Sequence, residues 1–143
     1  DHSGIVLTNG VFDILHKGHI ELLKFSKNQG DKLIVAIDSD ERVRQLKGED
    51  RPINNEEDRR KVLETNRYVD SVVTFNSSEE LKTLYETLCP DVVVKGSEWT
   101  ADELRERDEI PDTIQVKVYP LVGDYSTTNT MEKIRNMGSC EKI

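Results

Sequence analysis

The chain has 143 residues, of which 35% are hydrophobic and 34% charged, enough for one domain with a sizeable core. The 20 Lys and Arg are outnumbered by 28 Asp and Glu, for a formal charge of −8, which excludes a general nucleic-acid binder of the basic kind but leaves room for a small nucleotide pocket. No apolar stretch is long enough to cross a bilayer, Asp1-His2-Ser3-Gly4 lacks a signal-peptide core, and Cys89 and Cys140 are too few for a disulfide framework. These features set the expectation of one domain over residues 1–143, in a reducing cytoplasm, with residues 1–4 and 138–143 as flexible ends.

Residues 5–8, an apolar and β-branched run, predict a first strand, and the turn-like Thr8-Asn9-Gly10 closes it. Residues 17–28 predict a helix with Ile20, Leu22, Leu23 and Phe25 on its apolar face and Gly30 as its stop. Residues 33–37 form a continuous apolar run of the kind buried in parallel sheets. A short helix over 39–46 leads into a charged loop, 47–51, and Pro52. Asn54 or Asn55 caps a helix over 55–65, with glutamates in its first turn. Residues 69–75 predict a third strand, and Ser77 or Ser78 caps a helix that ends near Cys89-Pro90. Residues 92–94 and 114–119 predict two more strands, with the charged stretch 98–111 as a loop or short helix at the rim. Ser126-Thr127-Thr128 opens a last helix that runs to about Met137. The alternation implies an α/β fold: a Rossmann-like, doubly wound, five-stranded parallel sheet with helices on both faces. Its ligand crevice belongs at the carboxyl ends of the strands.

The residues that fall at those ends carry chemistry. After the first strand come Thr8, Asn9, Gly10, Phe12, Asp13, His16 and His19; after the second, Asp38; after the fourth, Lys95, Gly96 and Trp99; after the fifth, Ser126, Thr127 and Thr128. His16 and His19 are three apart and share one face of the first helical turn. Gly18 between them lets a ligand approach the backbone. The start of a helix is a ready-made phosphate site, and Ser126-Thr127-Thr128 offers a second one, so the two turns read as jaws on one polyphosphate. Lys47, beside Gly48 and near Arg51-Pro52, sits on a stretch able to close over phosphates as a lid. Arg59 or Arg60 orients that lid or pairs with Glu56. Asp13 meets an acceptor, contacts a magnesium-bound water or caps the helix. The sequence has no G-x-S-x-G and no Walker A pattern. That fits an attacking phosphate oxygen that arrives ionised and needs positioning and charge stabilisation rather than a base.

Stretches 8–19, 30–40, 46–48 with 51–54, 93–96 and 126–129 resemble, in this order, the cytidylyltransferase-like nucleotidyltransferases with their HxGH turn. Within them the chain looks most like the adenylyltransferase domain of the bacterial ADP-heptose synthesis enzyme, without the sugar kinase domain usually joined to it. The resemblance implies a transferase that moves AMP from ATP to a sugar 1-phosphate and releases pyrophosphate. It makes His16, His19 and Lys47 catalytic. It assigns Thr8, Asn9, Gly10, Phe12, Gly18, Lys95, Gly96, Ser126, Thr127 and Thr128 to the nucleotide, and Asp13, Asp38, Arg59 and Trp99 to the acceptor. Mg²⁺ would ride on the triphosphate rather than on protein ligands, and the partners would be small molecules and a second copy in a homodimer, with neither nucleic acid nor membrane. Two alternatives stand beside this reading. Arg67-Tyr68-Val69-Asp70 and Glu98-Trp99 lean toward the glycerol-3-phosphate cytidylyltransferases, which use CTP; yet the arginine that group carries before its Ser-Thr-Thr is missing from Leu121-Val122-Gly123-Asp124-Tyr125. A nucleotide-binding module that has lost catalysis would show decayed phosphate clamps, and here both histidines, Lys47 and Ser-Thr-Thr are present.

Overall fold

The computed structural model describes residues 4–13, 15–96 and 100–119. Strands β1 (Ile5–Gly10), β2 (Lys32–Asp38), β3 (Ser71–Phe75), β4 (Val92–Gly96) and β5 (Gln115–Tyr119) form one parallel sheet in the order β3-β2-β1-β4-β5. Helices α1 (Lys17–Lys27), α2 (Asp40–Lys47), α3 (Glu56–Glu64), α4 (Ser78–Leu88) and α5 (Ala101–Asp108) lie in the connections. Parallel neighbours need such crossovers. The chain therefore winds outward from β1 to β3, then returns across β1 to add β4 and β5. The order reverses beside β1, the switch point where α/β sheets open a crevice.

The alternation of side chains sorts the core onto two faces. Val6, Leu33, Val35, Val92 and Val94 pack with Leu22 and Leu23 of α1 and Leu63 of α3. Leu7, Ile34, Ala36 and Val93 pack with Leu81 and Tyr85 of α4 and Leu104 of α5. The doubly wound parallel sheet expected from the sequence is thus the fold observed. Its last six β2 residues are buried, as a central strand covered on both sides requires.

Some boundaries differ for local reasons. The third strand begins at Ser71, because the Val69 N–H still closes a turn onto the Asn66 carbonyl at 3.1 Å. The charged rim contains α5, fixed by a capping box in which Thr100 and Glu103 satisfy each other's backbone N–H groups. Asn28 rather than Gly30 caps α1. Gly30 is small for a different reason: a Cβ there would lie 2.7 Å from Val6 Cγ2 and 2.8 Å from the Gly4 carbonyl. Cys89 is an exposed free thiol at the left-handed cap of α4. Among the described residues no helix is long and apolar enough to cross a membrane. Trp99, Ser126, Thr127, Thr128, Cys140 and the last expected helix lie outside the described residues.

Candidate active site

The path from β1 to α1 is bent by Phe12, whose φ of 52° is left-handed, an uncommon state for a bulky side chain. Its ring is buried and lies 5.2 Å from the ring of His19. A Cβ at Gly10 would approach that ring to 3.0 Å, so the strand ends on a residue small enough for Phe12 to fold back.

His16 is the N-cap of α1, in an extended conformation. Its Nδ1 accepts the Gly18 N–H at 3.1 Å, and Nδ1 of His19 accepts the His16 N–H at 3.3 Å. The two histidines thus fill both roles of a capping box, which more often belong to Ser or Thr and Glu or Gln. Their rings stack with centroids 3.9 Å apart and an interplanar angle of 23°. A ring whose Nδ1 accepts a hydrogen bond carries its proton on Nε2 when neutral. The turn therefore fixes the tautomer and makes each Nε2–H the donor. Burial pushes the His16 imidazole below its ordinary value of 6.5, which favours that neutral form.

Asp13 and Arg59 anchor the segment that follows α2. The Asp13 carboxylate is 4% exposed and accepts the N–H groups of Ile53 at 2.7 Å and Asn54 at 2.8 Å. Asn54 returns a side-chain hydrogen bond to the Asp13 carbonyl at 2.8 Å. Arg59 is 1% exposed. Its guanidinium donates to the carbonyls of Asn54 at 3.0 Å, Val11 at 2.9 Å and Asp38 at 2.8 Å, and to the Asp40 carboxylate at 2.8 Å. The sequence leaves open a pairing of Arg59 or Arg60 with Glu56; the structure pairs Arg59 with Asp40, and Glu56 accepts the Asp40 N–H at 2.9 Å. Both residues were expected at the acceptor, and both have their polar atoms taken up in tying β1, β2 and the 51–54 turn together. Asp40 and Asn54 complete this latch; the sequence offers Asn54 or Asn55 as the cap of α3, a role that falls to Asn55.

Thr8, expected at the nucleotide, is fully buried and its hydroxyl donates to the Val94 carbonyl at 2.8 Å. Asn9 and Lys95, one residue beyond the paired Thr8 and Val94, project to the opposite face and meet each other through Nζ and Oδ1. With Asp38, Arg42, Arg107 and Asp108 they line a cavity of about 720 Å³ at the carboxyl ends of the strands. Burial raises the Asp38 carboxyl above its ordinary 3.8, although the Arg42 hydrogen bond at 2.9 Å, Arg59 and Lys95 draw it down. Gly18 lies in the first turn of α1, and Gly96 is the last residue of β4. Lys47 is exposed at the end of α2, one residue before Gly48 with its φ of 105°.

A doubly wound sheet with two stacked histidines capping its first helix has the fold of the nucleotidyltransferase-like proteins. The chain belongs to the Cytidylyltransferase-like family, which it matches over residues 7–136. It is 45% identical over 130 residues to the bifunctional protein HldE of Koribacter versatilis, covering 90% of this chain and 26% of that protein. It is 42% identical over 137 residues to HldE of Campylobacter fetus, covering 94% and 29%. The chain thus spans between a quarter and a third of the length of these relatives. Among solved structures, the lipopolysaccharide core biosynthesis protein of Thermoplasma volcanium superposes with a TM-score of 0.66 at 32% identity, over 82% of this chain and 95% of that one. Pantothenate synthetase of Thermus thermophilus shares the fold, with a TM-score of 0.60 at 13% identity over 92% of this chain and 64% of that one.

Proposed function

We propose that this chain transfers AMP from ATP to a sugar 1-phosphate of the heptose 1-phosphate type and releases pyrophosphate. The observation that carries this reading is the histidine capping box at the carboxyl end of the central strand. An oxygen of the acceptor phosphate attacks the α-phosphorus, the new P–O bond forms, and the bond to the β-phosphate oxygen breaks. The attacking oxygen is already ionised, so no base is required. The Nε2–H groups of His16 and His19 donate to the oxygens on which charge collects, as prearranged donors do in acyl and phosphoryl transfer. Lys47 adds a cation from the end of α2. The likeness to a protein named for lipopolysaccharide core biosynthesis supports a sugar phosphate as acceptor. Mg²⁺ would offset charge on the triphosphate and be held by phosphate oxygens; among the described residues no group of three or more His, Cys, Asp or Glu is placed to hold a metal ion.

The test is pyrophosphate release with ATP and with CTP against a panel of sugar 1-phosphates and glycerol 3-phosphate. ATP with a heptose 1-phosphate should turn over fastest, and His19→Ala should slow it by about 10²-fold or more. Faster release with CTP and glycerol 3-phosphate selects the polyol-phosphate alternative. Absence of release with every pair overturns the transfer reading.

A further inference from the structure

Lys95 is 6% exposed and is held from two sides. Asn9 of β1 accepts from its Nζ, and the Asp108 carboxylate, at the last residue of α5, lies 3.1 Å away. A buried ammonium without an opposing charge tends to give up its proton. We propose that Asp108 is a positioning residue for nucleotide transfer, holding the Lys95 ammonium against Asn9 at the carboxyl end of β4, where its charge meets the anionic substrates.

Asp108 does not line up with the histidine turn in sequence, and no motif contains it. It reaches the crevice because α5 packs Leu104 into the core beside Val93 and brings its last turn over Lys95. The surroundings sort by element. Asp38 faces Lys95 from β2; Arg42 of α2 and Lys82 and Glu86 of α4 line the same cavity, as do Arg107, Asp108 and Glu109 at the end of α5. Tyr85 of α4 lies near enough for Asp108 to help hold its hydroxyl protonated, although burial is the larger cause. Arg107 donates to Asp108 at 3.0 Å and, as a like charge, opposes protonation of Lys95. Burial pushes Lys95 below its ordinary value, and Asp108 is the largest opposing influence. Burial likewise pushes the Asp108 carboxyl up, but Arg107 and Lys95 outweigh it and hold it down. At Lys95 burial and the Asp108 carboxylate thus work against each other, and Asp108 is the group that favours the ammonium.

The kinetic part rests on the transfer reading; the titration part does not. The Lys95 ε-carbon resonance is followed against pH in the intact chain and in Asp108→Asn. Its midpoint should fall by about one unit or more when the opposite charge is removed. In turnover, the alkaline limb of kcat/KM should move the same way, and Asp108→Glu should restore it in part. Lys95→Met should raise KM by about tenfold, and adding Asp108→Asn to it should change KM no further, because residues acting through one another are not additive. An unchanged midpoint in Asp108→Asn, or a double variant about tenfold worse than Lys95→Met, overturns the proposal. If the intact chain shows no turnover with any substrate pair, the transfer reading fails and the titration alone decides the pairing.

Discussion

Replacing Arg59 by Met tests whether this arginine is a latch or a substrate ligand. The side chain is 1% exposed and its guanidinium serves three carbonyls and one carboxylate. Hydrogen bonds to a charged group contribute about 1.5–3 kcal/mol each when taken singly. Four such values cannot simply be added, since the sum would rival the whole stability of a domain, about 5–15 kcal/mol. Removing one partner of a buried charge pair costs about 3–5 kcal/mol. That is the loss expected for Arg59→Met, with a Tm lower by about 10–15 °C. Arg59→Lys should recover less than half of it, because one ammonium cannot reach four acceptors spread across Val11, Asp38, Asp40 and Asn54. Urea unfolding followed by circular dichroism gives the midpoint, and initial rates give KM for the acceptor phosphate. A midpoint within about 1 kcal/mol of the parent, with KM raised about tenfold, would refute the latch and return Arg59 to the substrate.

The pH dependence of stability follows from His16. Its folded value lies below the ordinary 6.5, so the unfolded chain takes up the proton first. The stabilisation is present above pH 6.5 and is lost as pH falls from there through the folded value. Urea midpoints between pH 5 and 8 should show this decline, and His16→Asn, which keeps a cap without titrating, should flatten it; a parent chain with no decline refutes the assignment. Lys47→Ala should leave stability within about 1 kcal/mol, since the residue is exposed at a helix end, while kcat/KM falls about tenfold or more. Equal kcat/KM values would remove Lys47 from the site.

The fold was legible where the pattern is local. The apolar run from Leu33 to Ile37 announces a strand buried on both faces, and Ser39, Asn55 and Ser77 sit at their caps as their side chains require. The α5 helix was harder to see because Leu104 is its only buried residue; the signal that marks it is the Thr100 to Glu103 capping spacing. The histidine turn was legible because strand, glycine and helix lie within one short stretch. What the turn faces was not. Asp13, Arg59 and Asp38 all fall at strand ends or beside the lid, and sequence alone does not say whose oxygens are already occupied. The structure gives the first two to the 51–54 turn and leaves Asp38 lining the cavity with Asn9 and Lys95. The Asp108 contact with Lys95 spans different elements and leaves no trace in spacing.

The capping box ties the length of one connection to chemistry. His16 and His19 serve as the first hydrogen-bonding partners of α1 through Nδ1, which leaves Nε2–H as the donor of each ring. In the proposed transfer, helix start and reacting site are the same object. A residue gained or lost between Gly10 and His16 would shift where the helix begins relative to Phe12 and β1, and would turn both imidazoles away together. The connection from α5 to β5 carries no such double duty. Length variation in descendants of this chain should accumulate there, and the first crossover should keep its count even where its residues change.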